Sequence, residues 1–264
     1  MSRRRLAAVT ALAAATLTGT AVLGAPAEPA RRGRAPLAVP RLPPPVAPGL
    51  RIPAPRLRAA SRAAARWAPV RFATAARAAP RRGARSVARL GPTTPEGTAN
   101  IVLALGRSRD ARGRLWVRVR VPGLARRDTG WIRRSALGGY RVVRTHLVVD
   151  RRRLVATLLR DGRRVFRARV GVGTPQAPTP AGRFYIRDVV TRYRSPMYGP
   201  VAFGTSARSQ TLTDWPGGGF IGVHGTDRPD LLPGRVSHGC IRMRNADVVR
   251  LARLMPVGTP LTIR

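Results

Sequence analysis

The chain contains one cysteine and no lysine among its 264 residues, and acidic and aromatic residues are also scarce. A single cysteine cannot form an internal disulfide, which excludes a disulfide-stapled scaffold. All 50 basic residues are arginine and they face only 11 acidic ones, so the formal charge is +39. Such a charge attracts polyanions, but no nucleic-acid recognition motif accompanies it. We therefore expect anionic cell-wall polymers or lipid head groups as partners, and no specific nucleic acid.

The first 27 residues have the pattern of an export signal. Arginines at positions 3–5 precede an apolar run at 6–23, and Ala25-Pro26-Ala27 offers a small-residue cleavage site. The run is close to the length that crosses a bilayer, so an uncleaved membrane anchor is the alternative. Export predicts that the protein lies in the cell envelope, in the periplasm or in the extracellular wall, either released or anchored at its N-terminus.

Residues 28–92 are dominated by Arg, Ala and Pro, which predicts a disordered linker because like charges repel and prolines oppose regular structure. Strand periodicity follows, since valines alternate with arginines over residues 115–121 and another run begins at Thr129. These runs predict a small β module over residues 93–139. Its Leu-Trp-Val-Arg-Val and Gly-Trp-Ile strings resemble bacterial SH3-like modules of cell-wall proteins.

The C-terminal part, residues 140–264, is predicted to be a mostly β domain. Three apolar-rich runs cover 141–149, 154–160 and 163–172, and Asp161-Gly162 between the last two is a strong hairpin signal. One short helix is expected over 246–254 with Asn245 as its N-cap.

The lone thiol, Cys240, lies next to imidazoles. His238 precedes it by two residues, and His224 lies far enough upstream for the chain to return beside it. An imidazole near a thiol favours the thiolate and can carry its proton, as nucleophilic catalysis requires. The backbone N–H groups of Gly239 and Cys240 could then stabilise an oxyanion. A zinc site at Cys240, His224 and His238, and a buried structural thiol, are the alternatives.

The strings around these residues resemble the signature of the YkuD-like L,D-transpeptidases. They are His-Gly-Thr at 224–226 and Ser-His-Gly-Cys-Ile-Arg-Met at 237–243, and similar strings occur at 179–184, 198–200 and 256–263. The resemblance covers about residues 141–264. It implies a β-sandwich or barrel with a short helix after the cysteine.

The resemblance also implies chemistry on peptidoglycan. Cys240 would attack a stem tetrapeptide and form an acyl-enzyme that yields 3-3 cross-links, and no cofactor or metal would be required. His224 would carry the proton, and His238 would position the thiol or shape the site. Substrate binding would fall to three residues: Arg242, Tyr198 and Ser237. An L,D-carboxypeptidase and a noncatalytic wall-binding protein are the alternative functions.

Overall fold

The computed structural model describes residues 64–123, 129–191, 195–209, 211 and 219–264. A seven-stranded sheet, a ten-stranded sheet, one α-helix and three short 3-10 helices account for the regular structure of these residues, which confirms the mostly β prediction. The predicted export signal and residues 28–63 of the predicted linker lie outside the described residues. Among the helices that are described, none has the length and apolar character needed to cross a bilayer.

The first sheet is antiparallel and has the order β3-β2-β6-β5-β4-β1-β7. Alternation positions its core as the sequence predicts, since Val117 and Val119 are fully buried while Arg118 between them is exposed. Its strands are β1 Ala65–Pro69, β2 Thr74–Arg77, β3 Ser86–Leu90, β4 Ile101–Arg109, β5 Leu115–Arg120, β6 Thr129–Arg133 and β7 Arg141–Val143.

The linker prediction is wrong for residues 64–92, which contribute three strands to this sheet. β1 pairs with both β4 and β7 and so lies inside the sheet. Ala68 and Ala76 have no exposed surface and belong to the core of this sheet. Alanine-rich composition hid this segment, since alanine gives a weak strand signal even where it is buried. Whether the sheet is an SH3-like module stays a prediction.

The second sheet is mixed and has the order β10-β9-β8-β17-β12-β13-β14-β16-β11-β15. The Asp161-Gly162 hairpin is confirmed, and both residues have positive φ angles, 50° and 80°, as a tight two-residue turn requires. The elements are β8 Thr145–Asp150, β9 Val155–Arg160, β10 Arg163–Arg169, β11 Gly171–Gly173, β12 Gly182–Val190, β13 Ala202–Arg208, β14 Phe220–His224, β15 Gly234–Ser237, β16 Ile241–Arg242, helix α1 Asn245–Ala252 and β17 Pro260–Ile263.

The two sheets meet at Arg144, because the single strand predicted over 141–149 is divided. β7 belongs to the first sheet and β8 to the second. The Tyr185 hydroxyl, fully buried, donates to the carbonyl of Ile101 across the boundary at 2.8 Å. Trp67 and Tyr185 share one apolar cluster, so the sheets are joined by a packed contact.

Helix α1 packs on the second sheet behind the cysteine segment. Val248 and Leu251 are fully buried in the same core as Ile241 and Met243, which fits their predicted helical spacing. The prediction that Asn245 caps the helix is wrong. The cap position belongs to Arg244, with no side-chain cap bond, and the Asn245 side chain turns instead toward the segment after β14.

Candidate active site

Cys240 and His224 lie on one face of the paired strands β14 and β16. These strands run parallel, with His224 opposite Arg242 and Gly222 beside the cysteine. The Gly222 N–H points at Cys240 Sγ at 3.3 Å. A Cβ placed on Gly222 would lie 3.5 Å from His224 Cδ2 and 3.8 Å from that sulfur. The thiol and the imidazole therefore both lie over Gly222, which agrees with the predicted return of the His224 segment beside Cys240.

A tight turn presents the sulfur at the start of β16. The Ser237 hydroxyl donates to the Cys240 carbonyl at 2.6 Å and accepts the Gly239 N–H at 3.1 Å. Gly239 has a φ of +120°, which side chains rarely adopt, so glycine is required at this bend. From a different segment of the chain, the buried Thr179 hydroxyl donates to the Gly239 carbonyl at 2.8 Å. The turn is thus held by bonds on both sides.

Two predicted roles change because of this turn. Ser237 is buried and its hydroxyl is used within the turn, so the structure gives it a supporting contact rather than the predicted substrate-binding position. The Gly239 N–H already donates to Ser237, so it does not face a substrate oxyanion as predicted. The Cys240 N–H is then the remaining donor of the predicted pair.

The His224 ring is held on two sides. Its Nδ1 lies 2.6 Å from the carbonyl oxygen of Gly225, and because that oxygen can only accept, Nδ1 carries the proton. The lone pair of the neutral ring is therefore on Nε2, which is bonded to the Cδ2 atom that lies over Gly222. Tyr198 packs edge-on against the ring, with centroids 4.9 Å apart and planes at 67°. Tyr198, predicted to line the substrate site, thus contacts the histidine directly.

Burial keeps both groups neutral in the resting site. The pKa of His224 falls to about 4, and burial is the main cause. The hydrogen bond to the Gly225 carbonyl raises this pKa, whereas the nearby Arg242 cation lowers it. Burial raises the pKa of the Cys240 thiol, although the Gly222 N–H and Arg242 each lower it. The expected shift toward thiolate is therefore outweighed by desolvation. At neutral pH the site holds a thiol and a free imidazole base.

Arg242 and His238 occupy different settings. Arg242 is half-buried on the same face as the thiol, and its buried Nε has no hydrogen-bond partner within the described residues. Such an orphaned cationic donor is suited to an anionic ligand. His238 lies exposed in the turn before β16 and on neither strand that flanks this turn. In the described ranges, no three His, Cys, Asp or Glu side chains are grouped to hold a metal.

Sequence reasoning missed three supporting residues: Thr179, Gly222 and Asn245. The Thr179 hydroxyl donates to the Gly239 carbonyl and accepts the Gly173 N–H, so it supports the cysteine turn from a distant part of the chain. The Asn245 Oδ1 accepts the Thr226 N–H at 2.9 Å. Neither contact leaves a periodic signal, although both residues lie within or next to the strings that carry the family resemblance.

The sequence of the chain also matches known proteins. The family model of the YkuD L,D-transpeptidase catalytic domain matches residues 144–263. The Bacillus licheniformis YkuD protein, named as an L,D-transpeptidase, is 34% identical over 145 residues, which cover 54% of this chain and 72% of that protein. Its Bacillus subtilis counterpart is 40% identical over 95 residues, 36% of this chain and 50% of that protein. The chain therefore spans about half the length of this second relative.

Among solved structures, the catalytic domain of an Enterococcus faecium L,D-transpeptidase is 25% identical. The overlap covers 46% of this chain and 96% of that domain, with a TM-score of 0.34. This score is too low to add to the assignment, which comes from the sequence matches. On those matches, the chain belongs to the L,D-transpeptidase family with a YkuD catalytic domain.

Proposed function

We propose that the protein is a peptidoglycan L,D-transpeptidase that forms 3-3 cross-links through an acyl-enzyme on Cys240. The observation that carries the proposal is the placement of the Cys240 thiol and the His224 ring over the same glycine, Gly222, with the ring's free lone pair on Nε2. A buried thiol beside a neutral base of defined tautomer is the arrangement that nucleophilic acyl transfer needs. Family membership supports stem peptides as the substrate class.

In the first half-reaction, Cys240 Sγ attacks the carbonyl carbon of the stem peptide bond that precedes the terminal D-alanine. Because thiol and imidazole are both neutral at rest, the thiol proton moves to His224 Nε2 as the C–S bond forms. The resulting imidazolium gives that proton to the departing D-alanine amine when the C–N bond breaks. A thioester remains on Cys240.

In the second half-reaction, the amine of an acceptor stem attacks the thioester. His224 takes a proton from that amine, and the thiolate leaves and regains the proton. Water in place of the amine would give the L,D-carboxypeptidase outcome with the same residues. The Cys240 N–H is the proposed donor to the tetrahedral oxyanion, because the Gly239 N–H is already engaged.

Arg242 is proposed to bind a substrate carboxylate. Its guanidinium is half-buried near the sulfur and has an unpartnered Nε among the described residues. A bound carboxylate would satisfy that donor and neutralise the cation. For the remaining residues, we propose that His238 shapes the exposed rim of the site. The excess of arginine supports anionic wall polymers as further partners. The signal pattern of residues 1–27 supports export to the envelope as the location.

The test compares the wild-type protein with Cys240→Ala and His238→Gln in cells that lack other cross-linking enzymes of this type. We expect Cys240→Ala to lower 3-3 cross-linked muropeptides by about 10³-fold or more, because no other thiol exists in the chain. His238→Gln should retain part of the activity, since its ring is exposed. Undiminished cross-links with Cys240→Ala would favour a noncatalytic wall-binding protein. Shortened stems without cross-links would favour the carboxypeptidase.

A further inference from the structure

A side chain outside the predicted site is bonded to the backbone that holds His224. Asn245 begins α1, yet its Oδ1 does not cap the helix and instead accepts the Thr226 N–H at 2.9 Å. Asparagine at a helix start usually bonds to its own helix. The side chain is therefore used here for a contact with the segment that follows β14.

Two glycines leave the space that this contact occupies. A Cβ on either Gly225 or Gly199 would overlap Asn245 Oδ1, and the two glycine backbones approach each other closely. The segment after Tyr198 and the segment after His224 thus converge on one amide oxygen. This convergence makes Asn245 the polar centre of the junction behind the histidine.

The peptide unit between Gly225 and Thr226 connects Asn245 to His224. Its N–H donates to Asn245, and its carbonyl, the Gly225 oxygen, accepts Nδ1–H of His224 at 2.6 Å. A planar trans peptide points these two groups in opposite directions, so a bond at one end sets the direction of the other. Hydrogen bonds in such a chain also polarise one another, which makes the carbonyl a stronger acceptor.

We propose that Asn245 is a positioning residue that orients the 225–226 peptide and thereby holds His224 in the tautomer with its proton on Nδ1. It ends a chain of hydrogen bonds that runs from Asn245 through one peptide to His224, whose ring lies over Gly222 as the Cys240 sulfur does. The proposal rests on the proposed function only in taking Cys240 as the nucleophile that His224 serves.

The test uses the full chain with ¹⁵N-labelled histidine and compares wild type, Asn245→Ala and Asn245→Asp. At neutral pH we expect the wild-type His224 ring to show one tautomer, and Asn245→Ala to show a mixture of both. Asn245→Asp keeps an oxygen acceptor for Thr226 and should restore the single tautomer. Comparison with a His224→Gln spectrum identifies the signals among the three histidines.

A second readout is the rate of Cys240 acylation by a carbapenem, followed by intact mass. Loss of one hydrogen bond of about 1 kcal/mol should slow Asn245→Ala about fivefold, with Asn245→Asp near wild type. Asn100→Ala is the matched control, because the Asn100 amide donates to the Gly91 carbonyl at 2.9 Å in the segment between β3 and β4, outside the site. That variant should change neither the tautomer nor the rate of the folded protein.

A single wild-type tautomer in Asn245→Ala would overturn the proposal. If Asn245→Ala does not fold, Asn245→Asp decides, because a mixed tautomer there would show that an acceptor at this point does not control the ring. The tautomer needs no wall substrate. A wild-type protein that forms no adduct, but whose tautomer depends on Asn245, would therefore sink the proposed function and leave the positioning role intact.

Discussion

The second sheet buries ionisable side chains in two places, and the two are stabilised in opposite ways. Cys240 and His224 are buried with no carboxylate of the described residues paired to either. Arg187, only 3% exposed, lies instead between Glu96 at 3.0 Å and Asp188 at 3.6 Å. Its guanidinium also stacks over a ring on β14, 4.1 Å from the centroid of Phe220.

The difference follows from which groups can give up their charge. A thiol is neutral when it keeps its proton and an imidazole is neutral when it loses one. Burial therefore raises the pKa of the Cys240 thiol and lowers that of the His224 ring. An arginine cannot lose its proton in a protein and must be given counter-charges. Within this cluster, burial raises the pKa of the Asp188 carboxyl and outweighs the nearby Arg187 cation, which lowers it. The site near β16 is thus ready to move a proton, whereas the Arg187 cluster serves the contact between the sheets.

The largest expected effect is a loss of stability when the cation of the Arg187 cluster is removed. Arg187→Met should lower the free energy of unfolding by about 3–5 kcal/mol, because it leaves the buried Asp188 without its cation. Urea unfolding at pH 7 measures this change. Arg144→Met is the matched control, because the Arg144–Asp161 pair is exposed, and it should cost less than about 1 kcal/mol.

The carbapenem acylation rate of the folded Arg187→Met protein sharpens the result. We expect it to stay near wild type, since Arg187 does not contact Cys240 or His224 in the described structure. A variant as stable as wild type would mean that the buried ion cluster contributes nothing net. A stable variant with slow acylation would instead assign Arg187 to the site, through Phe220 on the same strand as His224.

The next effect concerns pH. The pKa of His224 is about 4 in the folded protein and its ordinary value is 6.5, so between these values the unfolded chain binds more protons. Stability from this group is therefore fully present above pH 6.5 and is lost as pH falls toward 4. Relative to His224→Gln, wild type should lose about 3 kcal/mol of unfolding free energy between pH 7 and pH 4. Urea titrations of both proteins at several pH values measure the difference.

If both curves run parallel, His224 is not desolvated as the structure indicates. The imidazole would then be able to hold a charge in the resting protein, and the two buried regions would not differ in how they treat charge. Its exposure of 2% argues for the predicted divergence.

The sequence predicts the site better than it predicts what supports the site. Cys240 and His224 belong to a short, dense motif, and the family resemblance of that motif implied the roles that are proposed for them. The Asp161-Gly162 hairpin likewise has a local cause, and the structure confirms it. By contrast, Thr179 reaches Gly239 across sixty positions, and no periodic pattern encodes such a contact.

Burial and segment composition explain the other differences. The thiolate shift expected for Cys240 required knowledge of its 5% exposure, which a sequence does not give. Strands β1–β3 were hidden because Arg, Ala and Pro suggest disorder unless partner strands are known. The substrate-binding role predicted for Ser237 failed for a similar reason. The sequence does not show that its hydroxyl bonds to Cys240 within the turn.

The smallest effect is expected at Tyr198, whose ring contacts His224 edge-on at 4.9 Å. An aromatic contact of this kind contributes about 1 kcal/mol, so Tyr198→Ala should slow carbapenem acylation about fivefold. Tyr198→Phe keeps the ring and should acylate at the wild-type rate if ring packing is what matters. A loss in Tyr198→Phe equal to that in Tyr198→Ala would assign the effect to the hydroxyl and favour the substrate-lining role that the sequence predicted. The pair of variants therefore separates orientation of the buried imidazole from contact with the ligand.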